Sequence, residues 1–156
     1  MGEKQGIDII CEKNNIDIKH ADINYYKNLY GKSINDYFKF TIIRNPYDRI
    51  MSFYFWKKGI NNQTFNRKEF INFVKKKNDF QYKYIDNSFH IVYFENLIND
   101  LKKLACFKDV VDFNDYPKLN ASSNSKMDFK KLYDKELRDL VFNKFKKDFK
   151  LFGYKY

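Results

Sequence analysis

One run of nineteen residues, Phe38–Trp56 (FKFTIIRNPYDRIMSFYFW), constrains the fold more than any other feature. Its first part, Phe38–Ile43, is aromatic and β-branched and reads as a buried strand. The strand stops at Arg44-Asn45-Pro46. Pro46 then opens a helix running to about Lys58, ended by Gly59. Asn45 is its cap, and proline sits at the first helical position, where a missing N–H costs nothing. Asp48 adds a carboxylate to the first turn, where the exposed N–H groups favour it. A strand that delivers the chain into a helix N-terminus makes an anion site, because free N–H groups and the positive end of the helix dipole face it. Arg44 stands at the C-terminal edge of the strand, where ligands bind in open α/β sheets. Its guanidinium can grip a phosphate with two parallel hydrogen bonds. Ser52 shares a helix face with Arg49 and can donate its hydroxyl to the same anion. The junction equally suits plain capping chemistry, with Arg44 and Arg49 paired to Asp48 or another acid.

The rest of the chain alternates in the same way. Helices are predicted over Asp22–Leu29 (ended by Gly31), Lys68–Lys77 (capped by Asn66 or Arg67), Glu95–Cys106 and Asp134–Phe149. Leu97, Leu101 and Leu104 share one face, and Leu137, Val141, Phe145 and Phe149 form a second stripe with Leu140 beside it. His90–Phe94 (HIVYF) reads as a second strand, and His90 as a structural residue. Strands alternating with helices imply an α/β fold, a small parallel sheet flanked by helices. A length of 156 residues fits a single domain, 1–156. No repeat and no Gly/Ser linker divides it. The most loop-like stretches are Lys57–Arg67 and Asp112–Asp128.

Charge and composition narrow the function. The formal net charge is +10, which favours an anionic partner. Of the 30 basic residues 26 are Lys and four are Arg, in a chain rich in Asn, Ile, Tyr and Phe, so lysine abundance follows composition and each arginine carries more information. An aromatic content of 20% excludes a disordered basic tail. No apolar run reaches the roughly 18–20 residues of a membrane span, and the start of the chain shows no secretory h-region. Cys11 and Cys106 are far apart, with no metal-ligand spacing among the two cysteines and two histidines, so no metal is expected. A reduced, cytoplasmic chain is the simplest reading.

The segment RNPYDRIMSFY resembles the 3′-phosphate-binding motif of sulfotransferases that use 3′-phosphoadenosine 5′-phosphosulfate (PAPS). Arg44, Asn45, Pro46, Arg49 and Ser52 fall at the motif positions, and FKFTII at the preceding strand. Three more pieces are similar to the carbohydrate sulfotransferases of the chondroitin, dermatan and heparan-uronyl type. They are His20-Ala21, 24 residues before Arg44; Phe94-Glu95-Asn96-Leu97 with Asp100; and a tail from Pro117-Lys118-Leu119-Asn120 through Tyr133 to Asp148–Tyr154. The resemblance covers about residues 19–154. It implies a sulfotransferase-like fold related to the P-loop NTPases, and PAPS contacts from Arg44, Asn45, Arg49, Ser52 and Lys118. No strand with a Lys/Gly/Thr loop for the 5′-phosphosulfate is legible before His20, so the chain reads as an N-terminally shortened member.

The implied reaction is sulfuryl transfer from PAPS to a hydroxyl or amine of a carbohydrate-like acceptor, neutral or anionic, with His20 as general base. Glu95 could serve as a base, pair with a lysine, or complement a helix dipole. Without the 5′ loop, sulfate transfer is expected to be slow or absent, with Lys4, Lys13 or Lys19 as partial substitutes. Two other classes stay open. One is a non-catalytic relative that binds adenosine 3′,5′-bisphosphate or an anionic polymer. The other is a basic nucleic-acid module, although no helix-turn-helix, RNP or zinc-finger pattern is present.

Overall fold

The computed structural model describes residues 22–58, 64–107 and 129–156. Strand β1 (Phe40–Ile43) pairs in parallel with β2 (His90–Tyr93), in a register running from Phe40↔His90 to Ile43↔Tyr93. Parallel strands need a crossover of at least about a dozen residues. The chain between them supplies one that includes α2 (Pro46–Lys57) and α3 (Arg67–Lys76). Ahead of β1 lies α1 (Ile23–Tyr30). After β2 come a 3₁₀ turn at Phe94–Asn96 and α4 (Leu97–Lys103). Helices α5 (Lys135–Lys144) and α6 (Lys146–Phe152) close the order. The described residues thus form a helix-rich α/β structure with a two-stranded parallel sheet.

Local chemistry sets most boundaries. Asp22 caps α1 by accepting the Tyr25 N–H at 3.0 Å. Gly31 ends it at φ 57°, a backbone conformation that side chains disfavour. Asn66, rather than Arg67, caps α3 through the Glu69 N–H. Two predicted helices differ. The Glu95–Cys106 helix resolves into the Phe94–Asn96 turn, α4, and a further turn at Ala105–Phe107. The Asp100 carboxylate takes the Tyr93 N–H and the Asn96 side chain, which holds the chain in a turn before α4 begins. The Asp134–Phe149 helix is two helices, because Phe145 leaves the α region at φ −107°, ψ 22°. Its ring packs on Phe80 while its N–H still bonds the Val141 carbonyl, so tertiary packing bends the chain without orphaning that donor. The predicted stripe Leu137, Val141, Phe145, Phe149 is buried throughout.

That stripe packs with Ile50, Met51, Tyr54 and Phe55 of α2 and with Phe70 and Val74 of α3 in one apolar cluster. Truncating such a core phenylalanine typically costs about 3–5 kcal/mol. The Tyr133 hydroxyl crosses to the Tyr47 carbonyl at 2.8 Å and satisfies the only polar atom of a buried ring. A second cluster of Val92, Leu101 and Leu104 lies against Phe40. Helix α2 is therefore fixed by its buried face. Its Asp48, Arg49 and Ser52 are left only partly covered.

Candidate functional site

The site is built on the turn from β1 into α2. The Asn45 side chain caps the helix by accepting the Tyr47 N–H at 3.0 Å. The Asn45 N–H is itself donated to Glu95 Oε1 at 2.7 Å. Pro46 has no N–H, and the Arg49 N–H returns to the Asn45 carbonyl at 2.8 Å. The sequence reading expected these first amides to face an external anion. The structure corrects that: they are largely spent within the protein. Glu95's carboxylate joins that of Asp48, in the first turn, at the dipole's positive end, and its second oxygen accepts the Tyr154 hydroxyl at 2.8 Å. With the Asn45 and Tyr47 amides taken, an external anion at this turn would rely on side chains.

Arg44 is the side chain equipped for it. Its guanidinium lies over the Phe94 ring, 4.6 Å from the centroid. Among the described residues it makes no hydrogen bond and no ion pair. Partial burial pulls its pKa down, against the attraction of Asp48, Glu95 and Tyr154. A guanidinium that has lost part of its water and kept its five donors unspent is suited to a bidentate oxyanion. Asp48 and Ser52 lie four residues apart within α2, so they share one side of it. Ser52 is half-buried, and among the described residues its hydroxyl has no hydrogen-bond partner.

Arg49 is placed differently. It donates Nη1 to the Asp79 carbonyl at 3.0 Å and Nη2 to Asp79 Oδ2 at 2.6 Å. The Tyr84 hydroxyl takes the other Asp79 oxygen at 2.9 Å, and Lys77 Nζ is 3.6 Å away. Burial raises the Asp79 pKa, but Arg49, Tyr84 and Lys77 outweigh it and hold the carboxyl below its ordinary value. Arg44 and Asn45 thus stand at the turn from β1 into α2, with Asn45 shaping it; Ser52 lies further along α2, and Arg49 is committed to Asp79. His20 and Lys118 lie outside the described residues, as do Lys4, Lys13, Lys19 and Cys11.

Distant segments converge on this turn. Asn45 Nδ2 donates to the Lys155 carbonyl at 3.2 Å. The Tyr93 hydroxyl donates to the Phe152 carbonyl at 3.3 Å, and the Tyr93 and Tyr154 rings meet edge to face. Burial, and then the neighbouring Glu95, push the Tyr154 pKa up, which keeps its hydroxyl a donor. Sequence reasoning missed Gln81, Asp79, Tyr154 and the Phe94 ring as members of the site. Asp148 did carry a signal: it shares a helix face with Phe145, Phe149 and Phe152, an acid set among core positions. Nothing marked Gln81.

The described residues form an α/β structure with an arginine at the end of a parallel strand, followed by a capped helix, and in open α/β sheets that edge is where ligands bind. Residues 3–115 match the family model described as the Sulfotransferase family, and the chain belongs to that family. The matched span contains the whole Arg44–Ser52 turn and the Phe94–Leu97 segment, and it takes in residues 3–18, ahead of the resemblance read from the sequence. Family membership points to sulfuryl transfer between a nucleotide donor and an acceptor. No curated protein and no solved structure shows significant similarity to the chain.

Proposed function

We propose that this sulfotransferase-family chain binds PAPS with Arg44 and Ser52 on its 3′-phosphate, and passes the sulfuryl group to a hydroxyl or amine of a carbohydrate-like acceptor. The observation that carries the reading is the Arg44 guanidinium, half-buried at a strand edge and without an ion-pair partner among the described residues. Removing a cation from water without a partner is costly, so a protein that leaves one there has a use for the charge. The donor supplies an activated sulfuryl group, and the protein positions it and stabilises charge. Arg44 and Ser52 hold the handle, while Asn45 and Glu95 fix the turn that carries them. His20 is our candidate for the base that takes the acceptor's proton, and Lys118 for a further contact to the donor. The same reading places the strand pair in a sheet related to the P-loop NTPases.

The test is calorimetric titration with adenosine 3′,5′-bisphosphate, coupled to sulfate transfer from labelled PAPS across a panel of glycans. Saturable binding lost in Arg44→Ala, with turnover lost in His20→Ala, supports the proposal. Binding without turnover on any acceptor would leave a nucleotide-binding relative instead. No binding would refute the donor site.

A further inference from the structure

Both arginines of the turn are held by one short segment. Asp79 grips the Arg49 side chain, and two residues later Gln81 grips the Arg44 backbone. Gln81 is 6% exposed, and its carboxamide exchanges two hydrogen bonds with a single residue. Oε1 accepts the Arg44 N–H at 2.8 Å, and Nε2 donates to the Arg44 carbonyl at 2.9 Å. This is the paired exchange that a neighbouring strand makes with a strand residue. A side chain supplies it one residue beyond the last β1–β2 pair, Ile43↔Tyr93. The segment is in turn clamped from beneath. Asp148, fully buried, accepts the Gln81 N–H at 3.0 Å and the Tyr82 N–H at 2.9 Å. The carboxamide satisfies both backbone groups of Arg44, which an apolar side chain in its place would leave without these partners.

Resting on the donor-site reading above, we propose that Gln81 is a positioning residue: seated on Asp148, its carboxamide extends β1 by one residue and fixes the backbone from which the Arg44 guanidinium is presented to the donor's phosphate. Gln81 does not touch the ligand in this account. It acts only through Arg44.

That restriction makes a double-mutant cycle decisive. Adenosine 3′,5′-bisphosphate is titrated into the full chain, Gln81→Leu, Arg44→Ala and the double variant. Gln81→Leu is expected to weaken binding about tenfold, the scale of one or two lost hydrogen bonds. In the Arg44→Ala background the same change should alter binding less than about twofold, because the group it positions is gone. An equal loss in both backgrounds would overturn the proposal. Should Gln81→Leu fail to fold, Gln81→Glu replaces it: it keeps the acceptor for the Arg44 N–H and loses the donor, and an intermediate loss confined to the Arg44 background is expected. A second readout needs no ligand. Amide hydrogen exchange at Arg44 should quicken at least about tenfold in the Gln81 variant while Ile43 keeps its protection. Unchanged exchange at Arg44 would overturn the clamp. If the unaltered protein binds no nucleotide, the donor-site reading and the functional part of this proposal fall together, and the exchange result alone decides whether Gln81 holds the turn.

Discussion

Replacing Asp148 is the sharpest structural perturbation available at this site. Its carboxylate is fully buried and accepts two backbone N–H groups, at 3.0 Å from Gln81 and 2.9 Å from Tyr82. Asp148→Ala leaves both donors buried without partners. Each orphaned donor costs about 1–3 kcal/mol, so the pair costs roughly 2–6 kcal/mol. Against a typical total of about 5–15 kcal/mol this is a large share. Asp148→Asn keeps one acceptor oxygen and turns an NH₂ toward the other donor, so it should lose about half as much. Urea unfolding followed by far-UV circular dichroism measures both losses, as shifts in midpoint at constant slope. The pH dependence has a definite sign. Burial raises the Asp148 pKa above its ordinary value, against the two N–H bonds and Arg49, which favour the charged form. Between the two values the native state holds more protons than the unfolded chain, so stability falls as pH rises through that window. Asparagine cannot titrate. The advantage of Asp148 over Asp148→Asn should therefore be greatest below the window and shrink toward neutral pH. Losses under about 0.5 kcal/mol for both variants, the range of an ordinary surface change, would refute the reasoning.

Other outcomes follow from the same geometry. Arg44→Ala loses a ring contact and the pull of Asp48 and Glu95, but no hydrogen bond or ion pair within the described residues, and it removes a partly buried charge, so its stability should change by no more than about 1 kcal/mol; thermal melting checks this. Arg49→Ala strands a partly buried Asp79 with only Tyr84 and Lys77 near it, and should cost about 1–3 kcal/mol in the same assay. The Asp79 carboxyl is held below its ordinary value, so the stability contributed by Arg49 is present above that value and lost as pH falls through the folded one. Arg49→Ala should flatten the acid side of the stability profile. Ser52→Ala removes a neutral donor and should weaken adenosine 3′,5′-bisphosphate binding by about 0.5–1.5 kcal/mol, less than the ~1.5–3 kcal/mol expected for Arg44→Ala. A Ser52 variant that melts early but binds normally would make that hydroxyl structural.

The turn was legible because its chemistry is local. Asn45, Pro46 and the apolar run before them dictate a strand end and a capped helix, and β1 and α2 form there. The stripes of α4 and α5 were legible for the same reason, since side chains three and four apart share a face. What escaped was long-range. Glu95 lies fifty residues from the Asn45 N–H it accepts, and Gln81 lies 37 residues from Arg44. No periodicity encodes such a pairing. Phe145 shows the other limit: its stripe predicted burial correctly, but packing on Phe80 divided one expected helix into α5 and α6. The helix terminus was misjudged for a related reason. Capping rules count the orphan amides and cannot say that a distant carboxylate has already taken one.

The 3′-phosphate is the group on which the central claim rests, and comparing two nucleotides isolates it. Adenosine 3′,5′-bisphosphate and adenosine 5′-monophosphate differ only in that phosphate. Titrated calorimetrically at one fixed salt concentration, the unaltered protein should prefer the bisphosphate by at least about tenfold, the worth of one charge-assisted contact, and Arg44→Ala should erase most of the preference. Equal affinity for the two nucleotides, or a preference that survives in folded Arg44→Ala, would contradict the account.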